Sequence, residues 1–330
     1  MKQFLQKKAK LVFLCMLVLL TCTACANPRG RDGKTLADQI IASEETTIDA
    51  SKINYKDISD KKLKKEIKKN IKDGEYTIQP TTFKESMSKG WFEGLIVWPI
   101  AQIINLISAK TDAGVGIILT TLLIQMLVFV FTRKSQMSTQ RMQEISPEIQ
   151  KIQNKYKDKT DERSKLQMAQ EMQNLYQKYD IHPFGSMLIT FIQLPIMMGM
   201  YYATMRSVSV VSGSFMGISL AGTPLDGFKA FDIAYIAIYV LMVIFYIISM
   251  KLPQWLKKWQ DKKDHVKVKK YAQPETNPMA NSMNMSMYFM TAMICIMYIS
   301  WPMAMSFYWL VSSVIRVCQS LILHQVMNKK

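Results

Sequence analysis

Apolar runs of near-uniform length dominate this chain, at about 114–132, 184–205, 230–250, 284–301 and 303–325. A run of ~20 apolar residues, rising 1.5 Å per residue, covers the ~30 Å hydrocarbon core of a bilayer. Hydrocarbon offers no partner to backbone N–H and C=O groups, so each run must satisfy its own, and a helix does so. The expected fold is therefore an all-α polytopic membrane protein. Hydrophobic residues make up 49% of the 330-residue chain, and they are concentrated in these runs.

Lysine and arginine placement sets the expected orientation. The polar stretch 133–183 carries ten basic residues, among them Arg133, Lys134, Arg141 and Lys178. The 251–283 loop carries eight, and the end of the chain adds Lys329 and Lys330. The 206–229 loop holds only Arg206 and Lys229. Basic loops stay in the cytoplasm. Both basic loops and the C-terminus are thus expected inside, with 206–229 outside. The formal net charge of +17 has its plainest explanation in this bias. Affinity for anionic lipid or ribosomal RNA is the sharper alternative, although no RNA-binding module accompanies the charge.

The first 25 residues read as a secretory leader. Lys2, Lys7, Lys8 and Lys10 precede an apolar stretch at 11–20, which ends in Cys22-Thr23-Ala24-Cys25. Small residues before a cysteine resemble a bacterial lipobox, which implies cleavage before Cys25 and a lipid on its sulfur. An uncleaved anchor helix is the alternative. Either way the following segment is expected outside the cell. Residues 26–90 are lysine-rich and poor in apolar groups, so they read as an extracellular polar tether with one solvated helix around 57–72.

Residues 91–112 are apolar but interrupted by Glu93, Pro99, Gln102 and Asn105, with Trp91 and Trp98 of the type favoured at the lipid boundary. With residue 26 outside and the C-terminus inside, five spans fit and six do not, so 91–112 is expected to lie in the outer interface. Within 133–183, Ile145, Ile149, Ile152 and Tyr156 form one helical stripe, and Ala169, Met172, Tyr176 and Tyr179 form a second. Ser146-Pro147 suits a helix start and 158–161 suits a turn. A cytoplasmic helical hairpin follows. The core is thus 113–325, with 326–330 as a basic cytoplasmic tail.

Polar groups recur inside the spans. The first carries Thr121 and Gln125, one turn apart on one face. The second carries Thr190 and Gln193, and the fifth carries Ser306, Ser313, Arg316 and Ser320 at helical spacing. Gln125 lies ~16 Å and Arg316 ~20 Å along their helices, at similar depth. Serines and threonines there commonly act as interhelical hydrogen-bonding glue. An arginine is costlier, a few kcal/mol on insertion scales, and it faces a water-filled cavity or reaches for the cytoplasmic surface. Methionine is abundant, 26 in all, and crowds the fourth run. It serves either ordinary lipid-facing packing or an adaptable slide for varied apolar segments.

Other chemistries lack their residues. The five cysteines and three histidines show no metal-ligand spacing, so neither metal nor cofactor is expected. An intramembrane enzyme needs a nucleophile with its base, or paired aspartates; Asp232 stands alone and His324 lies at the end of the fifth run. A polar-core transporter or channel remains the alternative function, although no internal repeat of the kind such folds show is visible.

Several patterns in order resemble one family. They are Trp91-Phe92-Glu93, Thr121-Leu122-Leu123-Ile124-Gln125, the run from Gln140 to Glu148, His182-Pro183-Phe184-Gly185, Gln193-Leu194-Pro195-Ile196 with Tyr201-Tyr202-Ala203, and Trp301-Pro302 with Tyr308-Trp309. Together they resemble the bacterial YidC family of membrane protein insertases, in its Gram-positive lipoprotein form. The resemblance implies a cationic groove, open to cytoplasm and lipid, that receives nascent membrane segments and releases them laterally. It implies nascent membrane proteins, the ribosome and membrane lipid as partners, with the Sec translocon a further candidate and no role for DNA. It places the client groove at Thr121, Gln125, Gln193, Ser313, Arg316 and Ser320. The family's key arginine falls where this chain has Gln125, so Arg316 is expected to supply the displaced charge.

Overall fold

The computed structural model describes residues 28–157, 159, 161–181, 185–263, 288, 289 and 291–328. The leader with Cys25, the motif 182–184, most of the 251–283 loop, most of the methionine-rich approach to the fourth run and the last two lysines lie outside them. The described chain is mainly helical. It forms two units, one holding the chain up to Thr120 with Leu194–Gly222 and Pro302–Met305, the other holding Thr121–Gln193, Thr223–Trp301 and Ser306–Lys330.

The first unit corrects the expected tether. Residues 28–90 fold. Strand β1 (Thr35–Leu36) pairs in parallel with β3 (Ile53–Asn54), and β2 (Thr46–Asp49) pairs antiparallel with β4 (Glu75–Ile78). Helix α1 is shorter than expected, Lys61–Asn70, because Asp60 caps it by accepting from the N–H groups of Lys62 and Leu63. Asp57 is engaged elsewhere, accepting from the Arg31 N–H and the Asn54 amide. Ile40, Ile48, Ile53, Ile58, Ile67 and Ile78 close into one buried cluster, which also takes in Val208 and Val211. The last two lie over a hundred residues away in sequence, so the composition of 26–90 alone underestimates the core it builds.

Helix α2 (Phe83–Lys89) leads into a π-turn at Glu93–Val97 and then α3 (Trp98–Ser108). Two buried polar arrangements fix this segment. Asn105 donates to the Ile41 carbonyl at 2.8 Å and accepts from the Ser207 hydroxyl at 2.6 Å. Glu93 pairs with Arg206, both largely buried, and the Arg206 guanidinium lies 5.3 Å from the Tyr202 ring centre. Residues 28–52 also grip the end of α7 and the chain just after it directly. Ile41 N–H donates to the Arg206 carbonyl at 2.6 Å, Val208 N–H to the Ile41 carbonyl at 3.0 Å, and the Thr35 hydroxyl to the Met205 carbonyl at 2.8 Å.

Among the described residues, three helices are long and apolar enough to cross a membrane: α4 (Ala113–Glu144) over Ala113–Met142, α10 (Ile233–Lys263) over Ile233–Gln260, and α11 (Met303–Asn328) over Met303–Val326. The second apolar run forms α7 (Gly185–Arg206), and residues 291–298 of the fourth are helical. After α7 come α8 (Val208–Ser212), a short hairpin of β5 (Ser214–Phe215) and β6 (Ile218–Ser219), and α9 (Pro224–Ala230).

In the second unit, α5 (Ser146–Lys155) and α6 (Glu162–Lys178) pack as a hairpin. Proline stands in the first turn of α5, and Asp161 caps α6 by accepting from Ser164 N–H at 2.9 Å. Ile145, Leu175 and Ile181 form its core, joined by Ile149, Ile152, Tyr176 and Tyr179. The Tyr156 hydroxyl donates to Glu171 at 2.9 Å and that of Tyr179 to Glu148 at 2.6 Å.

Ile67→Ala should loosen the 28–90 core by about 2–5 kcal/mol through its cavity, seen as faster hydrogen exchange in α1 and β4. Hydrogen bonds from Lys155 and then Tyr156 hold the Glu171 carboxyl below the usual carboxylate range. Its contribution to hairpin pairing is therefore present above the unfolded value and lost as pH falls through the depressed folded one. Distances between spin labels on α5 and α6 should broaden on acidification, and Glu171→Gln should remove that pH dependence.

Candidate polar site on α4, α7 and α11

The candidate site is built within the second unit, where α4, α7 and α11 carry their polar residues. On α4, Thr121 and Gln125 are i and i+4, and both are buried. On α11, two rows run side by side at helical spacing. Tyr308, Ser312 and Arg316 form one, while Trp309, Ser313 and Ser320 follow the other. Tyr308, Ser312 and Ser313 are fully buried.

Hydrogen bonds join these rows across helices. The Gln125 amide donates to the Ser312 hydroxyl at 3.1 Å. The Gln193 amide of α7 donates to the Tyr308 hydroxyl at 3.0 Å. Ser312, Gln193 and Gln125 are all neighbours of that same hydroxyl. Buried polar groups are costly unless paired, and here each pairing is made with another helix.

Arg316 sits one turn beyond Ser312 and is half-buried. Its guanidinium donates to the Ser313 hydroxyl at 2.9 Å and lies 5.5 Å from the Trp309 ring centre. Trp309 in turn packs against Tyr298 at 5.0 Å and Tyr246 at 6.2 Å between ring centres. The ionisable neighbours of Arg316 are the phenols of Tyr308, Tyr246 and Tyr298. Among the described residues no carboxylate pairs with it. A guanidinium has five N–H donors and no acceptor. One donor goes to Ser313, so the site holds more donors than acceptors. It suits a carboxylate or a backbone carbonyl brought from outside.

The six expected groove residues therefore divide. Gln125 and Ser313 are bonded into the packed layer, and Thr121 is buried with them. Gln193, Arg316 and Ser320 keep accessible surface. The Ser320 side chain, one turn past Arg316, makes no hydrogen bond among the described residues. The Thr190 side chain is not described. Sequence reasoning missed Tyr308, the buried hydroxyl at the centre of the layer. Its signal was the four-residue step to Ser312 and Arg316. Among the described residues no group of His, Cys, Asp or Glu could hold a metal ion.

The family model described as 60Kd inner membrane protein matches residues 105–330. The membrane protein insertase YidC of Enterococcus faecalis is 30% identical over 237 residues, which cover 72% of this chain and 76% of that relative. YidC 1 of Streptococcus pyogenes is 30% identical, covering 72% and 75%. The insertase MisCA of Bacillus subtilis is 26% identical over 238 residues, covering 72% and 80%.

With Cys295 and Cys318 replaced by serine, Arg316→Cys should react with a charged thiol reagent in everted vesicles, and Gln125→Cys should stay protected. Equal reaction at both positions would mean that the layer is open rather than packed.

Proposed function

The chain belongs to the 60Kd inner membrane protein family, that of the YidC insertases, and we propose that it receives nascent transmembrane segments at Arg316 and releases them laterally into lipid. One observation carries this reading. Arg316 is a half-buried cation on an apolar helix, bonded to Ser313 and faced by aromatic rings, with no carboxylate among the described residues. Gln125 stands where the family's arginine is expected, and it bonds to Ser312, the neighbour of Arg316's own partner. The positive charge has moved from α4 to α11 while staying within one polar layer.

The chemistry follows from the donors. A client's exported segment carries polar backbone and, often, acidic side chains. A guanidinium in a medium of low dielectric attracts a carboxylate far more strongly than it would in water. Accessible amides and hydroxyls lower the cost of bringing unsatisfied backbone to mid-depth. The client's apolar stretch of ~20 residues then leaves sideways, because lipid satisfies it as water does not. No covalent step is required, and the protein acts as a chaperone and insertase rather than an enzyme.

The rest of the cell biology belongs to the same proposal. Five spans place the C-terminus and the α5–α6 hairpin in the cytoplasm, where nascent chains arrive from the ribosome, with the Sec translocon a candidate partner. A diacylglyceryl group on Cys25 would anchor the N-terminus outside.

Arg316→Ala should slow insertion of a single-span client with an acidic exported tail about tenfold, the scale of one lost charge-assisted hydrogen bond. A client with a neutral tail should be less affected. Gln125→Arg in the Arg316→Ala background should restore activity by returning the charge to α4. Unchanged insertion by Arg316→Ala, with loss in Gln125→Ala, would overturn the assignment.

A further inference from the structure

Helix α1 carries six lysines against one glutamate, Glu66, in ten residues. Its apolar side is already used. Ile67 is buried in the module's core, and Leu63 and Ile71 pack against it. Lys61, Lys62, Lys65, Lys68 and Lys69 are exposed, and their side chains form no ion pair or hydrogen bond among the described residues. Lys64 differs, donating to the Lys56 carbonyl. The result is a row of five cations on a rigid, folded scaffold.

The scaffold's position gives that row a partner. Ile67 shares its buried cluster with Val208 and Val211, which begin two residues after α7 ends at Arg206. The same segment abuts the start of α4. A Cβ added at Gly213 would lie 2.8 Å from the Ala113 Cβ, and one at Gly114 would lie 2.1 Å from the Phe215 ring. Ala113 opens the apolar α4 helix, which is long enough to cross a membrane. So α1 shares a core with the segment where one apolar helix ends and another begins, and on the span reading of those helices that segment lies where hydrocarbon gives way to headgroups. Lysine's long stem lets its ammonium reach from there to phosphate.

We propose that α1 is an anionic-lipid contact, in which Lys61, Lys62, Lys65, Lys68 and Lys69 engage the phosphates of acidic phospholipids beside the ends of α4 and α7. The family match begins at residue 105, so this surface lies outside the region shared with the family model. The contact holds the 28–90 module at the membrane surface and enriches acidic lipid around the segment that follows α7. It uses the span reading of α4 and α7 but not the role of Arg316, so each can fail alone.

The test is lysine footprinting with an amine acylating reagent on the full-length protein in nanodiscs. The discs contain either phosphatidylcholine alone or phosphatidylcholine with phosphatidylglycerol, and Lys165 on α6 serves as comparator. With phosphatidylglycerol, acylation of the five lysines should slow about fivefold, the scale of one lysine's interaction with an anionic surface. High salt should reverse the slowing. Lys65→Gln/Lys68→Gln/Lys69→Gln should weaken the protection left at Lys61 and Lys62, and the matching Lys→Arg variant should retain it. Equal rates in both discs would overturn the proposal. So would protection given only by a soluble poly(glycerol phosphate), which would make a wall polymer the partner.

Discussion

A positive charge on an apolar helix is the constraint around which the second unit is arranged. Arg316 cannot be deprotonated at any physiological pH, so its environment must answer the charge rather than remove it. The answer in this chain is weak and polarisable: one serine hydroxyl, the face of Trp309 and nearby phenols. An internal carboxylate would answer it more fully. Retaining a cation that is only partly satisfied is costly to stability, and such expense inside a membrane marks function.

The layer beside Arg316 has a different task. Gln125, Ser312, Tyr308 and Gln193 bond to one another across α4, α11 and α7. Hydrogen bonds of this sort are worth only about 0.6 kcal/mol each in a bilayer, yet they fix which helix faces meet. They set the rotation of α11 and so decide where its guanidinium lies. The first unit solves a comparable problem at a chain turn. Where α7 gives way to irregular backbone, the N–H and C=O groups of Ile41, Arg206 and Val208 pair, and Asn105 ties Ile41 to Ser207. Buried backbone that is neither helix nor sheet has to find partners of this kind.

The sequence disclosed what periodicity and composition can carry. Apolar runs located the helices, and Ser146-Pro147 marked the start of α5. Three features were not legible, for related reasons. The fold of residues 28–90 depends on Val208 and Val211, which no local window includes. The Glu93–Arg206 pair joins a residue that looked like an interruption in an apolar helix to one counted only as loop charge. Tyr308 read as part of a motif rather than as a hydrogen-bonding centre. Each is a long-range partnership between polar or sparse residues, and pattern along the chain says little about partners across it.

The proposed function requires that the Arg316 guanidinium meet the client. The most direct measurement places a photo-crosslinking amino acid at position 316, and in parallel at 125, and stalls ribosome-bound nascent chains at successive lengths. Adducts from 316 are expected at the lengths that bring the client's first acidic residue to mid-depth, with few from 125. Adducts from 316 only to the protein's own helices at every length would contradict it.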